Sequence, residues 1–183
     1  MKNPTPRYIS AVARNLAELQ RAIHNRDAML AIEAERAQGY PLLRLAYLAL
    51  FNDYMAHAMK VFENGPRVAS FWYLYRIDQG LADSFMRKSA IDVAVLLDIS
   101  ARLKIVRDTT HFHIDADSVR DTKRIWQGAG IKGSVLSKAI DDAWKVARHL
   151  QEQSGLPSIE LLPEMTKLNL RKQVQRLKYG DVA

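Results

Sequence analysis

Apolar residues recur along this chain at steps of three and four, the spacing that lines one stripe of an α-helix. The step is cleanest in residues 89–115, SAIDVAVLLDISARLKIVRDTTHFHID. Leu96, Ile99, Leu103 and Val106 mark the stripe, and the same step carried on reaches Thr110 and then His113. An apolar seam thus runs into a polar end made of Arg107, Asp108, Thr109, Thr110, His111, His113 and Asp115. A core helix that ends this way either faces water or holds a site.

The rest of the chain reads in the same period. Thr5-Pro6 is an N-cap followed by proline at the first helical position, and Ile9, Val12, Leu16, Leu19 and Ile23 carry the helix toward about Ala37. Gly39 is the expected C-cap, and Pro41 forbids simple continuation. A second helix is expected over 41–63, on the line Leu45, Leu48, Asn52, Met55, Met59, Phe62. So apolar a helix is either central or shared with another subunit. Asn52 on that line either specifies pairing, touches a site, or is a hydrogen-bonded core residue, the last being the commoner case. Asn64-Gly65-Pro66 is a turn, and Phe71 to Tyr75 a short helix with Ser70 as cap and Gly80 at its end. Its aromatics suit core packing better than base stacking, because no single-strand-binding motif surrounds them. A short helix carrying Trp126 is expected over 122–127. The run GAGIKG at 128–133 lacks the spacing of a phosphate loop. Ser134 is the expected cap of a helix with the stripe Leu136, Ile140, Ala143, Ala147 and Leu150, closed by Gly155 and Pro157. A final helix from about Pro163 carries Leu170, Val174 and Leu177 on one edge. The fold class expected is all-α, a bundle of five to six helices in a single domain, with a core over about 5–155 and a basic C-terminal helix over about 163–179.

Composition narrows the chemistry. The chain has 183 residues, 48% of them hydrophobic and 26% charged, in the range of globular proteins. It has no cysteine, which removes disulfide and thiolate chemistry and suits a reducing, cytoplasmic setting. MKNPTPRYIS lacks the apolar core of a signal peptide, and the most apolar run, Leu45 to Asn52, is far too short to span a membrane. The net charge of +7 favours polyanionic partners through phosphate contacts. Lys167, Arg171, Lys172, Arg176 and Lys178, with no acid between them, make the last helix the candidate nucleic-acid-binding surface; the competing reading is a solvated helix face.

Arg107 and His113 are the candidate catalytic pair. Arginine stays charged and binds phosphate with two parallel N–H bonds. Histidine titrates near neutrality and can move a proton. RNA carries its own nucleophile, the 2′-hydroxyl, so a phosphate clamp and a proton shuttle suffice to cleave it with no metal or other cofactor. On an ideal α-helix the two residues lie about 120° apart, so they converge at a helix end or across a two-fold axis with another subunit. Arg107 and His111 are neighbours at a four-residue step, as are His111 and Asp115. In a ribonuclease site Thr110 and His111 would give secondary contacts. His111-x-His113-x-Asp115 also reads as a metal motif, but alternating ligands share a face on a strand and point apart on a helix. The bland alternative for the cluster is a capped, hydrogen-bonded helix end.

The run Arg107-Asp108-Thr109-Thr110-His111-Phe112-His113 resembles the motif of the HEPN superfamily, an arginine, a polar residue, several spacers and a histidine near the end of a helix. Residues from about Tyr40 to Leu150 resemble its abortive-infection U-type branch. The resemblance implies an all-helical homodimer with its site at the dimer interface, and metal-independent RNA cleavage leaving a 2′,3′-cyclic phosphate. It also implies a setting in phage defence, or a toxin–antitoxin pair with an antitoxin partner. Arg107, Asp108 and His113 take the catalytic positions; the residue after arginine is commonly Asn in the family and is Asp108 here, an acid that needs a cation beside it. The alternative expectation is a non-catalytic dimeric helical module that binds nucleic acid or a protein partner.

Overall fold

The computed structural model describes residues 4–111, 127–162 and 165–179, and for Thr110 and His111 the backbone alone. All regular structure among the described residues is helical, so the fold is all-α as expected. The α-helices whose bounds lie among these residues are α1 (Pro6–Ala34), α2 (Pro41–Phe62), α3 (Phe71–Ile77), α4 (Gln79–Lys88), α5 (Val93–Val106), α6 (Gly133–Gln153) and α7 (Lys167–Tyr179), and residues 127–129 are helical as well. Helix α4 has no counterpart in the sequence reading: Gly80 lies in its first turn and does not end α3, which closes at Asp78.

The chain divides into two compact units. One holds residues Met1–Leu19 and Ala58–Ile159, the other Gln20–His57 and Glu160–Ala183. The C-terminal helix, set apart in the sequence reading from a core over 5–155, therefore clusters with residues 20–57.

The first unit is built around α5. Its N-cap is Asp92, whose carboxylate accepts from the Ala94 amide at 2.8 Å. Leu96, Ile99, Leu103 and Val106 are all buried, so the predicted stripe is the inward face. Trp72 of α3 donates to Ser100 Oγ at 2.7 Å, and that hydroxyl donates to the Leu96 carbonyl at 2.9 Å, which satisfies the indole inside the core. Phe71 and Trp72 are buried, so these aromatics pack the core as expected. Ser70 stands at the N-cap of α3, but its hydroxyl donates to the Glu63 carbonyl at 2.6 Å instead of capping. The stripe Leu136, Ile140, Ala143, Ala147 and Leu150 of α6 is fully buried. The N-cap of α6 is Lys132, upstream of the expected Ser134. Its end is as expected: Gly155 takes a left-handed φ of 67°, with bonds from its amide to Glu152 and from Leu156 to Gln151, a Schellman closure.

The second unit packs the C-terminal half of α1, the N-terminal half of α2, and α7. Ala31, Ile32, Ala37, Leu43, Leu170 and Val174 form its core. Helix α1 ends at Ala34, with Arg36 in the left-handed region (φ 49°), so the cap expected at Gly39 falls three residues earlier. A 3-10 turn over Ala37–Gly39 then leads into α2. The line along α2 divides: Met55, Met59 and Phe62 are buried, whereas Leu42, Leu45 and Leu48 are exposed. Asn52 is exposed as well, which corrects the expectation of a core residue.

Candidate active site

Helix α5 does not stop where its stripe meets the polar end; it widens. Residues Arg107–His111 form a turn of π-helix. The Thr109 hydroxyl donates to the Ile105 carbonyl at 2.6 Å, and this side-chain bond competes with the α-helical amide for that oxygen. The change of winding means that angles counted at 100° per residue do not hold over Arg107–His111. π-turns of this kind recur at functional sites.

Arg107 lies at the start of the turn and is tied on both sides. Its Nη1 pairs with Glu63 Oε1 at 2.7 Å. Its Nε and Nη2 both donate to Asp108 Oδ1, at 2.9 and 2.8 Å. Asp108 in turn accepts from Lys104 Nζ at 2.5 Å. The four groups Lys104, Asp108, Arg107 and Glu63, in the order of their contacts, thus alternate in sign and sum to zero. Partial burial acts to lower the Arg107 pKa, but the hydrogen bond to Asp108 and the charge of Glu63 outweigh it, so the guanidinium is held more firmly charged. The hydrogen bond from Lys104, with Arg107 adding to it against desolvation, keeps the Asp108 carboxyl below the usual aspartate range.

Behind these charges a cavity of about 520 Å³ opens between the end of α2 and α5. Met59, Phe62, Leu97 and Leu103 line its apolar part, and Glu63, Lys104 and Arg107 its charged part. The turn 64–66 closes one side. Arg76 fixes that turn by donating to Asn64 Oδ1 at 2.8 Å and to the Gly65 carbonyl at 3.2 Å.

The sequence-predicted residues are placed as follows. Arg107 and Asp108 are brought together as one ion-paired unit. Thr110 and His111 lie in the π-turn with only their backbone described. His113 lies outside the described residues, as do Asp115 and Trp126. Glu63 is a site residue that the sequence reading took only as the end of a helix; the one signal was an acid closing an apolar helix before a turn. The basic residues of α7 belong to the other unit. There Arg171 pairs with Glu35, Lys178 donates to the Glu35 carbonyl at 2.8 Å, and Lys167 lies 3.9 Å from Asp27. Lys178 also sits 4.7 Å from the Tyr179 ring centre. Lys172 and Arg176 are exposed on the same helix.

The chain matches no protein-family model, no curated protein and no solved structure. Among the described residues, no helix is long and apolar enough to cross a membrane.

Proposed function

We propose that this protein is a metal-independent endoribonuclease of the HEPN type, working as a homodimer in phage defence or as the toxin of a toxin–antitoxin pair. The observation that carries the reading is Arg107: a guanidinium at the widened end of a buried helix, held from two sides by Glu63 and Asp108, beside a cavity of ligand size. In this reading the Arg107 fork binds the scissile phosphate and the charge that grows on it. His113 moves the proton of the 2′-hydroxyl or of the leaving oxygen. Asp108 aims the guanidinium through its double contact with Nε and Nη2. The attack of the 2′-oxygen on phosphorus expels the 5′-oxygen and leaves a 2′,3′-cyclic phosphate.

The test is cleavage of RNA by protein freed of contaminating nuclease and treated with chelator. His113→Ala is expected to slow cleavage about 10²- to 10⁴-fold, the usual worth of histidine acid–base work. Arg107→Ala is expected to slow it about 10²- to 10³-fold. Unchanged cleavage in His113→Ala, or an absolute need for a divalent metal, rules the reading out.

One observation favours a second reading, a helical module that binds without cutting. The charge of Arg107 is already matched by two carboxylates, and a phosphate must displace one of them. This reading expects RNA binding that weakens steeply with salt and yields no product.

A further inference from the structure

The cavity beside Arg107 is divided by chemistry. Its apolar lining is Met59, Phe62, Leu97 and Leu103, with Ala101 beside them; Met59, Phe62 and Leu103 are buried and Leu97 is exposed. Its charged part carries N–H donors, from Arg107 and from the exposed ammonium of Lys104. Asn64 and Ser100 are on the lining as well. At about 520 Å³ it lies within the range of small-molecule sites. A ligand that matches this lining has an apolar body with polar atoms at its edge, joined to an anion.

We infer that the cavity receives the base of an unpaired nucleotide, whose phosphate is held by Arg107 and Lys104. The inference rests on the ribonuclease reading for its substrate class, and it names the form of RNA that the site takes. A base is flat, apolar on its faces and polar at its edge, and its phosphate is joined to it through one sugar. The carboxylates now on Arg107 do not oppose this, because one anion replaces another. Glu63 is the one exchanged: it meets Arg107 at Nη1 alone, while Asp108 holds both Nε and Nη2 and is tied to Lys104 as well. The base of a paired nucleotide is stacked inside a duplex and cannot enter, so the site selects single strands.

The experiment is calorimetric binding to the full chain, with no cleavage measured. The probes are the four nucleoside 5′-monophosphates, ribose 5-phosphate, and a short RNA oligomer with 2′-deoxy substitution to block cleavage, single-stranded or annealed to its complement. Each nucleoside monophosphate that fits is expected to bind at least tenfold more tightly than ribose 5-phosphate. Ala101→Trp, which fills the cavity from an exposed position, is expected to remove that margin. Arg107→Ala should weaken nucleotide and ribose 5-phosphate alike. Glu63→Gln should tighten both, since the competing anion is gone. The single strand should bind more tightly than the duplex. If Ala101→Trp loses its helical circular dichroism, Leu97→Ala, also exposed, should cut the margin at least threefold, and titration with nucleotide should shift the Met59 methyl resonance. Equal binding of nucleotide and ribose 5-phosphate, a margin that survives filling the cavity, or equal binding of duplex and single strand overturns the inference. Because no turnover enters, the two proposals fail separately. Full cleavage by His113→Ala sinks the nuclease while the nucleotide site stands, and a missing base margin sinks the site while the nuclease stands.

Discussion

At the scale of single residues, the Asp108 carboxylate shows how much of a site is pairing. An acid next to a phosphate-binding arginine repels substrate unless a cation holds it, and here Lys104 and Arg107 both do. Its pKa is lowered in the folded chain, so its contribution to stability is present above the ordinary aspartate value and is lost as pH falls through the lowered one. Both ions are well exposed, so that contribution is small and screened by salt. A carboxyl carbon titration followed by NMR should find the Asp108 midpoint below the usual value near ~3.9. In Lys104→Ala it should move back up. Gly130 is a second residue whose identity matters. It has a φ of 62°, and a Cβ there would stand 2.7 Å from the Arg102 guanidinium, which bonds the Ala129 carbonyl at 3.0 Å. Gly130→Ala is expected to cost about 1–2 kcal/mol in chemical denaturation from the left-handed backbone alone.

At the scale of elements, α5 joins the core to the site. Its stripe buries it, its Asp92 cap starts it, and its π-turn ends it at Arg107. Ile99→Ala should lower stability by about 2–5 kcal/mol, read from the denaturation midpoint, because Ile99 is fully buried away from the cavity and its loss leaves a void in a closed core. Asp92→Ala should cost about 0.5–2 kcal/mol through the lost cap, with the site geometry intact. The stripe was legible because 3.6-residue periodicity is written in the chain itself. The widening after Val106 was not, since it depends on whether a threonine hydroxyl or an amide takes one carbonyl. Caps at Gly39 and Ser134 were misplaced for the same reason: several residues near each helix end can serve, and packing selects among them.

At the scale of the whole molecule, the basic helix is part of a core before it is a surface. Leu170 and Val174 of α7 are buried with Ile32 and Leu43. Truncation before Lys167 should therefore expose that core and raise binding of an apolar dye, so loss of RNA binding in such a fragment says nothing about phosphate contacts. Lys172→Ala with Arg176→Ala is the cleaner probe, because both are exposed. If α7 neutralises phosphates, that pair should leave the denaturation curve unchanged and reduce the salt slope of RNA binding by about 2, near one for each cation removed from a phosphate. An unchanged slope would return α7 to a solvated face. The exposed Leu42, Leu45 and Leu48 explain why α2 read as a helix apolar around most of its girth.

The sequence by itself determined that the chain is helical, where its inward stripes lie, and that Arg107 and Asp108 stand at the end of the α5 seam. Those follow from local spacing, and a side chain's face is set by its position in the period. Only the tertiary structure decided that Glu63 reaches Arg107, that a cavity opens beside them, that Asn52 is exposed, and that α7 supplies core. Each of these depends on residues far apart in the chain coming together, and no period along a sequence records which distant charge or apolar face will be its partner.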